Sequence, residues 1–77
     1  MAEGRESYDV GSVVWRTPAG GIVSCVEKLK VMSQNFRELQ LLAKDALEDA
    51  VLMGCEEAQV RAELVRMIES LESGYRR

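Results

Sequence analysis

A chain of 77 residues with a formal net charge of −3 is expected to form one domain close to the lower size limit for independent folding. Two cysteines and no histidine exclude a disulfide-rich scaffold and a structural zinc centre, which needs about four Cys or His ligands. Chains this small commonly gain stability from a second copy of themselves, so a homo-oligomer, a dimer above all, is expected here.

The polar start MAEGRESYDV has no apolar core of signal-peptide length. No apolar run approaches the roughly 18 residues of a membrane span. The expected setting is cytoplasmic, with reduced thiols and no membrane. Net acidity argues against nucleic acid as a partner.

Residues 1–7 read as a disordered tail. Residues 8–23, YDVGSVVWRTPAGGIV, join strand-favouring side chains to the turn chemistry of TPAGG, where Pro presets φ and Gly admits positive φ. They predict a short β-hairpin over about 12–16 and 20–23, or an extended arm. The competing reading makes Thr17 a helix N-cap followed by Pro18. It places Gly20 and Gly21 inside the first turns, at about 1 kcal/mol each relative to Ala.

Residues 24–75 predict an antiparallel helical hairpin. Ser24 and Glu27 have the spacing of a capping box. Ile22, Leu29, Phe36, Ala43 and Ala50 interleave with Cys25, Met32, Leu39, Ala46 and Met53 at alternating steps of three and four. This heptad seam marks a long helix over about 24–53. Gly54 stands where a left-handed C-cap is needed. Cys55 can open a second helix over about 56–74, with Glu56 and Glu57 in its first turn. Val60, Leu64, Met67, Ile68, Leu71 and Tyr75 mark that helix's apolar face. The three seam alanines near the turn predict close helix packing there.

At 1.5 Å per residue the two helices measure about 45 and 28 Å, so the shorter one leaves the seam from Cys25 to Phe36 without a cover. Cys25, Leu29, Met32, Phe36 and Leu39 are the expected self-association residues, and a dimeric four-helix bundle is the simplest arrangement that buries them. Trp15 on the N-terminal segment can contribute by plugging against Leu29 and Met32.

No catalytic constellation stands out. The commonest general base is missing, and Gly20–Gly21 lack the Lys-Ser/Thr partner of a phosphate loop. No cofactor or metal site is expected. Cys25 reads as a small core residue. An exposed Trp beside an Arg can anchor a partner. Tyr8, Trp15 and Arg16, with the off-seam Val31 and Leu41, therefore form the candidate partner-binding set, and Val51 and Leu52 also lie outside the seam. Asp45, Glu48, Asp49, Glu56 and Glu57 form an acidic ridge around the turn. In the plain reading it is a solvated face; in the functional one it binds a basic partner. Lys30, Arg37 and Lys44 recur every seven residues, as flanking charges of a bundle do. The Met53–Gly54 pair resembles the Met-Gly-aromatic loop of ubiquitin-associated domains, but Cys55 replaces the aromatic and the likeness spans three residues.

The expected function is a non-catalytic protein–protein interaction module of adaptor, chaperone or regulator type. The alternatives are a small acidic inhibitor of a nucleic-acid-processing enzyme and, third, direct nucleic-acid binding.

Overall fold

A computed structural model describes residues 7–75 of the chain. It comprises a short 3-10 turn at Val10–Ser12 and two helices, α1 at Val26–Leu52 and α2 at Glu57–Ser70. The chain divides into two compact units, Met1–Leu39 and Gln40–Arg77, with α1 continuous through the division. The tail expected over residues 1–7 falls outside the described residues except for Ser7.

In the first unit the expected pair of strands does not form. Asp9 caps the 3-10 turn by accepting from the Gly11 amide at 3.0 Å, which curls the chain just ahead of the predicted first strand. The turn chemistry holds nonetheless. The Gly20 amide donates to the Thr17 carbonyl at 2.9 Å, and the Thr17 amide donates to the Gly21 carbonyl at 2.8 Å. Gly20 has φ of 95° and Ala19 is not at positive φ. That combination fits a tight turn followed by a glycine bulge, a common three-residue hairpin loop. The antiparallel pairing it starts consists of one bridge, Arg16 to Ile22, supported by a Val23 amide to Trp15 carbonyl bond of 2.9 Å. Isolated two-stranded pairs are marginal in water, and this one does not extend into a ladder.

α1 starts one residue later than the capping box predicts. The first helical hydrogen bond runs from the Leu29 amide to the Cys25 carbonyl at 3.0 Å, so Cys25, not Ser24, is the N-cap. The other end is as expected. Gly54 has φ of 100°, the Cys55 amide donates to Ala50 at 2.9 Å and the Gly54 amide to Val51 at 3.0 Å. These two bonds make a Schellman motif, which satisfies carbonyls that the helix end leaves open.

In the second unit α2 begins on Glu56 as N-cap rather than Cys55, without a side-chain capping bond. Two exposed intrahelical ion pairs support it, Arg61–Glu57 at 2.9 Å and Arg66–Glu63 at 2.8 Å. Such pairs contribute a few tenths of a kcal/mol each. Gln40, Ala43, Leu47 and Ala50 of α1 and Val60 and Leu64 of α2 are the half-buried residues of this unit, and they mark the line along which the two helices pack. Ala46, predicted at this contact, is exposed. α2 ends at Ser70, short of the expected 74, where Leu71 turns extended at ψ 139°. Tyr75 is consequently not on the helix face and is 90% exposed.

Gly54 has open space where a Cβ would be added, so its requirement is purely conformational. Gly54→Ala is expected to lower stability by about 1–2 kcal/mol, the cost of an L-residue in the left-handed region. Urea unfolding followed by circular dichroism measures it. An unchanged midpoint would show that the turn does not depend on this backbone conformation.

Candidate functional site

Val10 is the one described residue that is fully buried, at 2% exposure. In the same unit, Val13, Trp15 and Val23 of the N-terminal segment and Leu29, Met32 and Ser33 of α1 are half-buried. Trp15 meets Phe36 edge to face, with ring centroids 5.3 Å apart and planes at 63°, the geometry that aromatic quadrupoles favour. Residues 8–23 thus fold onto their own chain. Of the predicted self-association residues, Leu29 and Met32 are half covered within this unit and Phe36 is 37% exposed under the indole. Cys25 and Leu39 remain open. Of the predicted partner-binding residues, Trp15 is engaged as a plug, while Tyr8, Arg16, Val31 and Leu41 are exposed.

Cys25 is not a core residue but an exposed free thiol. As N-cap it lies before the first helical residue and off the seam. The Lys28 amide, hydrogen-bonded to the sulfur, lowers its pKa below the ordinary 9.0; slight desolvation opposes this, and the Glu27 amide and the Lys28 charge add to it. These are the capping bonds that a Ser or Asp oxygen makes at other helix starts.

The seam divides between two faces. At about 100° per residue, Leu29, Phe36, Ala43 and Ala50 share the inward arc with Met32 and Leu47. Leu39, Leu42, Ala46 and Met53 share a second arc about 60° wide, and all four are exposed, Leu42 at 67% and Met53 at 77%. Glu38, Asp45 and Asp49 run along one edge of this stripe. The sequence pattern puts Leu39, Ala46 and Met53 in one seam series, with Leu39 among the self-association residues, and Leu42 on its flank. The signal that separates them is the steady drift of a 3.5-residue repeat around a 3.6-residue helix.

Asp45, Glu48, Asp49, Glu56 and Glu57 are all exposed, and Glu57 pairs with Arg61. The last turn of α1 carries no basic residue, so its carbonyl end and the ridge present negative charge together. Among the described residues no group of three or more His, Cys, Asp or Glu converges to hold a metal ion. Lys30, Arg37 and Lys44 share one exposed face of α1. No helix of the described residues is long and apolar enough to cross a membrane.

No known protein family, curated protein or solved structure matches this chain.

Two outcomes follow from this geometry. The folded-state pKa of Cys25 is depressed, so its thiolate cap contributes stability above the unfolded-state value near 9.0, and that contribution is lost as pH falls through the lower folded-state value. Cys25→Ser, which keeps a capping oxygen, is expected to remove this pH dependence in urea melts taken between pH 7 and 10; an identical pH profile would contradict the capping role. Trp15→Ala is expected to cost about 3 kcal/mol, within the range for deleting a packed aromatic, and Phe36→Leu should alter Trp15 fluorescence. An unaltered emission spectrum would show that the two rings do not meet.

Proposed function

We propose that this protein is a non-catalytic protein–protein interaction module that self-associates and docks a partner on the outward stripe of α1. The observation that supports the reading most is the alignment of Leu39, Leu42, Ala46 and Met53 on one exposed helix face. Four apolar side chains in a line serve no purpose in water, and an amphipathic helix laid along them as i, i+3, i+7 anchors buries them. The edge formed by Glu38, Asp45 and Asp49 favours a partner segment with Lys or Arg beside its apolar positions, and disfavours the same stripe of another copy by like-charge repulsion. Self-association, expected from the small size of the chain as a dimeric bundle, then uses a different face. Exposed thiols and the absence of histidine give no support to an enzymatic reading.

A second reading rests on the exposure of the whole acidic ridge, from Asp45 to Glu57. As an inhibitor, the chain would lay this ridge in the basic cleft of a nucleic-acid-processing enzyme. Affinity would then come from charge and fall steeply with salt.

Quantitative affinity capture from cells, with purified-partner titration, separates the two. Leu42→Asp is expected to weaken partner binding at least about tenfold, as loss of a central interface residue does, while Asp45→Lys with Glu56→Lys leaves most of the affinity. The opposite pattern would replace the docking stripe with the acidic ridge. Helicity of each variant is measured alongside.

A further inference from the structure

The self-association in this reading needs a surface, and α2 carries one that is complementary to itself. Arg61, Val65 and Glu69 follow one another at steps of four, which sets them in one diagonal row on the helix surface. All three are exposed. The row reads basic, apolar, acidic. Beside it, Leu64, Val65, Ile68 and Glu69 line a shallow apolar concavity, and Ala58 and Ala62 flank the row with small side chains that permit close approach.

Rows of this kind come to lie parallel to one another across the contact when helices cross in the commonest packing class. Two copies of α2 laid together antiparallel, with the two-fold axis at Val65, run their rows in opposite directions. Arg61 of each copy then lies beside Glu69 of the other, twice over, and Val65 meets Val65 between them. The same operation sets Ile68 at the level of the small Ala62. We propose that this face of α2 is an isologous dimer interface, occupied by a second copy of the chain. The charge order selects that occupant. A parallel pairing sets Arg61 against Arg61 and Glu69 against Glu69, whereas the antiparallel one pairs opposite signs on both sides of the axis. Arg61 is already bonded to Glu57 at 2.9 Å, but an exposed intrahelical pair is weak, and its guanidinium can exchange partners or serve both. α2 has 14 residues, so the contact falls at the small end of protein interfaces, and the association is a weak, concentration-dependent one.

The proposal rests on the self-associating reading, and one set of variants tells the two apart. Sedimentation equilibrium is run to about 1 mM, since a small interface gives affinities in the micromolar range or weaker. The wild type is expected to dimerise. Arg61→Glu and Glu69→Arg are each expected to weaken it about tenfold, and the double exchange to return it to within about threefold of wild type, because the opposite-sign pairs are restored. Circular dichroism verifies that helicity persists. In a Cys25→Ser, Cys55→Ser background, Val65→Cys is expected to form a covalent dimer on mild oxidation, since the axis holds the two positions within disulfide reach, and Ala58→Cys is not. A wild type that dimerises while neither charge reversal matters, or whose double exchange fails to recover, overturns the α2 interface and leaves self-association through another face standing. A monomer at every concentration overturns both.

Discussion

A helix buries only the side chains that something else covers, and this chain supplies cover for part of its longest helix. α1 is 27 residues long and α2 is 14, so pairing between them cannot extend along the whole of α1. The N-terminal segment takes up some of the remainder. Its Trp15 reaches Phe36, and its Val10 is the deepest side chain of the described residues. What neither cover reaches is the outward arc of α1 and the outer face of α2. The functional reading follows from that shortfall, because a sequence with 47% hydrophobic residues leaves most of its large apolar side chains accessible.

The charges distribute the uncovered faces among different tasks. The α1 stripe has an acidic edge, so two copies of it repel across a shared interface. The α2 face carries both signs in an order that pairs with its own reverse. In the proposed reading, one face therefore takes a foreign partner and the other a second copy. At the junction between the helices, the carbonyl end of α1 and the acidic ridge add their negative potentials. That arrangement costs some helix stability and keeps the turn region solvated.

The helical hairpin was legible because its punctuation is chemical. Gly54 is needed at positive φ, and the apolar period breaks there. The turn at Thr17–Gly20 was legible for the same reason. The hairpin strands were not: pairing stops at the one Arg16–Ile22 bridge, and an isolated two-stranded pair is marginal in water. The capping residue was missed by one position. Ser24 and Glu27 fit the capping pattern, but the backbone enters the helix at Cys25, and a thiol can take the same amides. The outward stripe was not separated from the seam because the heptad series reads as a single face. Over nearly four heptads the series drifts around the helix, and Leu39, Ala46 and Met53 pass out of the contact that Ala43 and Ala50 remain in. Leu71 and Tyr75 continue the apolar period of α2 in sequence, but the backbone has already turned extended.

The central claim is that the fold is completed by association. It is tested most directly by thermal unfolding of the wild-type protein, followed by circular dichroism over a hundredfold range of concentration. Association that involves the folded state alone makes the midpoint rise with concentration. The account predicts such a rise. A midpoint independent of concentration, with a cooperative transition and a monomeric mass throughout, would contradict it and show that the N-terminal cover and the helix pair suffice to fold the chain alone.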